Sequence, residues 1–344
     1  MDLSILITFC NQKVFANQLL DSIFNQKTDY TYEILIAIDG EDDGIFDVLN
    51  KYQKEHNNIN IFRVQSDKRL LPLSRASMNR MFLLSKSRGT YFCTIDGDDF
   101  VNSSTSSIEY RLFIIASLNV SFFISNSRFQ SGVSFLESNH QYIGEACLRM
   151  HYDHHKKYFS KINSDRTIFN FKDTVTREYI HVSQCIFRNI FKDGVTYFNS
   201  FFFNDRSLVR FMSLYGLIYV NKNYMFAYRI GIDSIYSSQS KINKMICQLA
   251  ANIANRQLGM PHYFEYHAAK NIIQILRQHK HSPIDQTLLE ALEFQKIPIA
   301  QNLISAIKDS SIQERIKLYK WSISRIVFFY YHSIIKYITK GKEK

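Results

Sequence analysis

Strand-like and helix-like segments alternate through the first hundred residues, and two of the strands end on acids. Residues 3–8, Leu3-Ser4-Ile5-Leu6-Ile7-Thr8, are an apolar run of strand length. Residues 14–25 then carry Val14, Phe15, Leu19, Leu20, Ile23 and Phe24 at helical spacing. A second strand over 32–38 ends at Asp39-Gly40, a helix follows over 45–56, and a third strand runs over 59–65. A helix over 74–87 closes at Gly89, and a fourth strand, 91–95, ends at Asp96-Gly97-Asp98-Asp99. Such alternation predicts a parallel sheet with right-handed crossovers. Ligands of such sheets sit beyond the carboxyl ends of the strands, so Asp39 and Asp96–Asp99 are expected on one rim.

Beyond residue 100 the pattern changes. Residues 103–119 read as helix and 120–125 as strand, 142–173 has weak periodicity, 182–187 and 217–220 read as short strands, and everything from 240 onward is helical. Three parts are therefore expected: an alternating part over 1–100, a mixed part over 101–238 and a helical C-terminal region over 239–344. With 46% hydrophobic residues the 344-residue chain has material for a large core. Five scattered cysteines, odd in number and without a CxxC pair, argue against a zinc ribbon or disulfide framework and for reduced buried thiols. The start of the chain lacks the basic and apolar regions of a secretion signal, and no apolar run reaches membrane-spanning length.

The Asp96-Gly97-Asp98-Asp99 turn is the sharpest chemical feature. A diphosphate that leaves a sugar gains negative charge, and a divalent cation held by carboxylates neutralises it. Mg2+ or Mn2+ is commonly held by one or two carboxylates together with phosphate oxygens. Asp and Gly are equally ordinary turn formers, so the tetrapeptide alone reads as well as a plain turn.

The motif belongs to an ordered set. Ser4-Ile5-Leu6-Ile7-Thr8-Phe9-Cys10-Asn11, Leu19 to Gln26, Glu33 to Gly40 and Gly89 to Asp99 resemble, in order, the opening blocks of the family-2 glycosyltransferases of the bacterial surface-polysaccharide type. The resemblance implies an α/β fold of the GT-A type: Rossmann-like, with a mostly parallel central sheet flanked by helices, here with a helical C-terminal extension. It also implies roles, with 1–100 as the nucleotide-sugar-binding half and 101–238 as the acceptor-binding and catalytic half. Thr8, Asn11 and Asp39 would contact the nucleoside, Asp96 the ribose and metal, and Asp98 the metal. A cation before the last helix of this half would hold the nucleotide; Lys68, Arg69 and Arg75 are candidates and Arg75 is favoured. Mn2+ or Mg2+ is the implied cofactor.

In the second half Phe203-Asn204-Asp205-Arg206, the helix after it, and Tyr228-Arg229-Ile230 resemble the family's Glu-Asp block and closing strand. Asp205 matches the catalytic Asp, the general base that an inverting transfer needs. Asn204 stands where Glu is commoner and Gly231 where His is often found. A first-turn acid on the helix is the plain structural role for Asp205, and a carboxylate fills both roles at once. His181 and Arg229 are assigned to the acceptor side, with a structural hydrogen bond the commoner role for a lone His. His151-Tyr152-Asp153-His154-His155 reads as a polar acceptor-side loop, because adjacent His side chains on a strand point apart.

The implied activity is an inverting hexosyl- or N-acetylhexosaminyl-transfer from a nucleotide-diphosphate-sugar, UDP-linked in most of the family, to a hydroxyl of a surface glycan or lipid-linked oligosaccharide. A sugar-phosphate nucleotidyltransferase is an alternative, although Thr8-Phe9-Cys10-Asn11-Gln12-Lys13 lacks the Gly-rich phosphate loop. A basic membrane- or nucleic-acid-binding module without catalysis is the other alternative, supported by the net charge of +11, yet no nucleic-acid motif is present and no nucleic acid is expected. Residues 314–344 mix Arg315, Lys317, Lys320, Arg325 and Lys336 with Trp321, Phe328, Phe329 and Tyr330. This segment reads either as a terminal packing helix or as a peripheral anchor for an anionic membrane surface. The expected location is cytoplasmic, with the cytoplasmic face of the inner membrane as the docking site.

Overall fold

The computed structural model describes residues 1–40, 43–101, 127–153, 155–156, 158–161, 166–176, 180–195, 205–232, 239–279, 281, 284–296, 298–308 and 311–340. The helix and strand expected over 103–125, and Asn204, lie outside these residues. The chain divides into two compact units, the first made of 1–66 and 76–232 and the second of 67–75 and 233–344.

The first unit opens with β1 (Leu3–Phe9), α1 (Lys13–Phe24), β2 (Tyr32–Asp39), α2 (Ile45–Glu55), β3 (Ile59–Val64), α3 (Pro72–Lys86) and β4 (Tyr91–Asp96), with the first turn of α3 in the other unit. These are the elements expected from the sequence. The first three strands and β4 pair in parallel, in the order β3-β2-β1-β4. Leu3, Ile5 and Ile7 and the alternate Ser4 and Leu6 are all buried, as a strand covered on both faces requires. Ala16, Leu19, Leu20 and Ile23 of α1, at helical spacing, pack into the same core. Burying one such leucine contributes about 1.5–3 kcal/mol.

The sheet then becomes mixed. After β5 (Phe100–Val101) come the helix Arg128–Ser138, β6 (Tyr142–Asp153), β7 (Tyr158–Lys161), β8 (Ile168–Phe169), β9 (Cys185–Arg188) and β10 (Leu217–Ile230). Its order continues β4-β9-β6-β10-β5, with β9 antiparallel to β4 and β6, and β6 parallel to β10. The structure corrects three sequence readings here. His151, Tyr152 and Asp153 end a twelve-residue strand rather than forming a loop. The short strand expected at 217–220 runs on to Ile230, through an irregularity in its register with β6. Residues 182–184 are a 3-10 turn that precedes the strand. In the first two cases pairing with a neighbour extended a strand whose polar residues hid it. Beneath this half Arg128 and Glu145, both fully buried, pair at 2.5 Å, an arrangement costly to break from one side.

Among the described residues, every element of the second unit is a helix. The helix Pro261–Gln278 packs against Lys241–Asn255 and against the long helix Ile312–Lys340. Phe329 stacks on Tyr266 at 4.4 Å, and Arg325 pairs with Glu265 at 3.4 Å. Among the described residues no helix is long and apolar enough to cross a membrane. All five cysteines are free thiols, four of them buried.

Candidate active site

Thr8 lies next to the end of β1 and pairs in register with Asp96, the last residue of β4, while Asp39 ends β2 on the other side of β1. The rim anticipated from strand alternation therefore exists within the first unit. Asp39 is buried and accepts a hydrogen bond from Asn79 Nδ2 at 3.2 Å, and Asn79 Oδ1 accepts one from Ser66 Oγ. Asn11 stands just beyond β1 with a positive φ of 54°, on the exposed edge of the same rim.

The acidic turn folds back onto β1. Gly97 N donates to Thr8 O at 2.9 Å, and Asp99 N donates to Asp96 O at 3.0 Å. A Cβ at Gly97 would collide with the Phe9 ring and come within 2.7 Å of Gln12 Oε1, so only glycine fits this close approach. Arg229, expected on the acceptor side, is buried and fastens the turn. Its backbone N donates to Asp99 Oδ1 at 2.9 Å and its Nε to Asp98 O at 2.6 Å. Its guanidinium also donates to Gln18 and lies over the Phe15 ring at 4.4 Å.

These contacts set the charges. Burial, then the neighbouring Asp96 charge, pushes the Asp98 carboxyl up to about 6. Burial and the charges of Asp98 and Asp96 raise Asp99 well above the carboxylate range. Three adjacent acids cannot all ionise cheaply in one turn.

Asp205 begins the helix Asp205–Met212, as its structural role required. Its side chain, 29% exposed, is reached from two sides. Arg80 Nη1 stands 2.6 Å from Oδ1, and His181 Nε2 stands 3.3 Å from Oδ2. The other end of the Arg80 fork, Nη2, lies 2.5 Å from Asp96 Oδ1. Arg80 thus bridges the end of β4 and the proposed base. Burial favours the neutral form of Asp205, but the Arg80 charge and the His181 hydrogen bond outweigh it and hold the carboxyl well below its usual range.

The backbone fixes the His181 ring. Its Nδ1 accepts from Ser183 N at 3.3 Å, and its own N donates to Gln184 Oε1 at 2.8 Å, which caps the 3-10 turn Val182–Gln184. With Nδ1 accepting, the ring proton sits on Nε2 and points at Asp205.

The ligand atoms of Asp96, His181 and Asp205 lie within 4.8 Å of one another, close enough to share a cation. Carboxylate oxygens suit Mg2+ or Mn2+, so the chemistry of the set fits. The imidazole fits less well, because its Nε2 carries the proton in this arrangement. Asp98, expected as a ligand, lies outside the trio.

Arg80, which the first unit sets on the acids, is a site residue that the sequence patterns do not single out; Arg75, five residues before it in α3, belongs to the second unit. The available signal was the pair Asn79-Arg80, two large polar residues within the apolar stretch around Met78, Met81, Phe82, Leu83 and Leu84. Both are buried.

The family model described as glycosyl transferase family 2 matches residues 4–193, more than half of the chain. A poly(ribitol-phosphate) beta-glucosyltransferase of Bacillus spizizenii is 29% identical over 106 residues, which cover 30% of this chain and 16% of that protein. The chain thus matches only about a sixth of the length of this curated relative. Among solved structures, S. aureus TarS 1-349 in complex with UDP superposes with a TM-score of 0.53 at 13% identity, covering 96% of this chain and 89% of that one. The complex of the same protein with UDP-GlcNAc gives 0.52 at 14% identity with the same coverage. At such identities the superposition speaks for the GT-A fold alone. The matched region runs from β1 through β9 and contains the acidic turn and His181, and on this match the chain belongs to glycosyl transferase family 2.

Proposed function

We propose that this chain moves a sugar from a nucleotide-diphosphate-sugar, UDP-linked, to a hydroxyl of a surface glycan, with inversion at the anomeric carbon. The observation that carries the reading is the meeting of Asp96, Arg80, His181 and Asp205 beside the carboxyl ends of the parallel strands. Thr8, Asn11 and Asp39 sit along the same rim and would take the nucleoside. Asp205 would accept the proton of the acceptor hydroxyl, with His181 holding its second oxygen. Asp96, with Asp98 two residues on, would hold a divalent cation together with the donor phosphates. When bound, that cation neutralises the diphosphate as it leaves.

The names of the similar proteins support the substrate class. One is a poly(ribitol-phosphate) glucosyltransferase, and TarS is described with UDP and UDP-GlcNAc. An acceptor made of phosphate-linked polyols is itself an anion, which suits a chain of net charge +11.

A membrane-side acceptor is supported by the C-terminal helix. Ile316, Ile323, Val327, Ile334 and Ile338 recur at helical spacing and are exposed. They lie opposite the face that carries Leu318, Arg325 and Phe329. Among the described residues, ten of the sixteen exposed large apolar side chains are on this helix. Its sequence holds one acid, Glu314, against six cations, a balance that favours anionic lipid.

The test is release of UDP from UDP-glucose and UDP-GlcNAc with Mn2+, with and without poly(ribitol phosphate). Acceptor-dependent release with an inverted product, read by NMR of the anomeric proton, is expected. Absence of release from either donor, with the acceptor present, would overturn the reading.

A further inference from the structure

We propose that the Arg80 guanidinium is a resident cation of the Asp96–Asp205 carboxylates, and that a divalent metal and Arg80 compete for that position. The inference rests on the reading of this site as a donor and metal site, and it concerns the state before the donor arrives.

The geometry is specific. Arg80 is 5% exposed, and its two terminal nitrogens face two carboxylates that the fold brings from β4 and from the helix Asp205–Met212. The contacts, at 2.5 and 2.6 Å, are direct ion pairs, and hydrogen bonds between charged partners are about twice as strong as neutral ones. Two carboxylates against one guanidinium leave the trio with one net negative charge. A metal held by the oxygens that Arg80 now grips would put two cations within a few ångströms of each other in a partly dry site. Both cannot stay there without further anions.

The donor supplies those anions. A diphosphate offers oxygens in the planar, two-point arrangement that a guanidinium fork recognises, and Arg80 is presented from a helix beside the rim where the diphosphate would lie. Donor binding would draw Arg80 from the carboxylates to the phosphates, which opens Asp96 to the metal. Metal affinity then depends on the donor, and the carboxylates are kept paired while the site is empty. Arg80 is on this account a positioning residue for the cation. The chain holds a built-in safeguard against loading metal without substrate.

The test measures Mn2+ binding by titration calorimetry on the whole chain, with no nucleotide present. Arg80→Gln removes the competitor and should bind Mn2+ at least tenfold more tightly than the unaltered chain. Arg80→Lys reaches one carboxylate instead of two and should gain about threefold, so it decides the question if the glutamine variant does not fold. With saturating UDP, the difference between the unaltered chain and the lysine variant should shrink to within a factor of two. Equal Mn2+ affinity of the folded variants and the unaltered chain without nucleotide would overturn the inference. Failure of UDP to bind any of the proteins would instead overturn the donor reading, while the nucleotide-free comparison would still decide the role of Arg80.

Discussion

His181 and Asp205 are 24 residues apart in sequence, yet Nε2 of one stands 3.3 Å from Oδ2 of the other, with the imidazole tautomer set by the backbone N–H of Ser183. A ring that can only donate toward the carboxylate orients it and leaves its remaining lone pairs for another proton donor. This is the arrangement expected of a base that must face a hydroxyl in one fixed direction.

His181→Ala removes that orientation without touching the nucleoside end of the site. The kcat should fall about tenfold, with the KM for the donor within a factor of two, because the contact bears on the base rather than on the donor. Steady-state kinetics at saturating acceptor measures this split. A rise in donor KM with unchanged kcat would place His181 on the donor instead.

Asp205→Asn keeps the shape and the first-turn position but removes the proton acceptor. Loss of a general base costs about 10^2–10^4 in rate. The turnover should fall by that amount while UDP affinity, read by calorimetry, stays within about threefold. Retained turnover would remove Asp205 from the mechanism.

Gly97→Ala puts a methyl group into the Phe9 ring and close to Gln12 Oε1. Overpacking of this kind typically costs about 1–3 kcal/mol. Urea unfolding should show that loss, and nucleotide binding should weaken because the acidic turn is displaced. A variant as stable as the parent would contradict the tight approach.

Asp98 gives a pH test in metal-free protein. Its carboxyl is raised to about 6 from an ordinary 3.8, so the folded chain binds its proton more tightly than the unfolded chain does. Its ionisation therefore destabilises the fold as pH rises from about 4 through 6, and below that window the effect is absent. Asp98→Asn should add on the order of 3 kcal/mol at pH 8 and almost nothing near pH 3.5. Denaturant midpoints at the two pH values check this. Equal effects at both would show that burial of this carboxyl is not what the substitution relieves.

Val327→Asp with Ile334→Asp interrupts the exposed apolar stripe of the C-terminal helix while leaving Phe329 and Arg325 on their partners. Co-sedimentation with vesicles of mixed neutral and anionic lipid should fall at least fivefold, with UDP binding unchanged. Equal sedimentation of both proteins would leave this stripe without a lipid role.

The sequence by itself determined the local elements of the first hundred residues and the order in which they occur. Runs such as Leu3-Ser4-Ile5-Leu6-Ile7 and the spacing of Ala16, Leu19, Leu20 and Ile23 carry their periodicity within a few residues, and strand ends place Asp39 and Asp96 without knowledge of anything distant. Thr8, Asp39, Asp96 and Asp205 were legible as candidates because each stands in a local pattern. Tertiary structure alone decided which groups meet Asp205. Arg80 is 16 residues from Asp96 and 125 from Asp205, and nothing in its own helix marks it as facing an acid. Likewise Arg229 is fixed under the acidic turn by β10 and β5, at a separation of 130 residues from Asp99. Periodicity reports which face of an element is buried. It does not report what the buried face will touch, and at this site the charges and the proton positions are set by those long-range contacts.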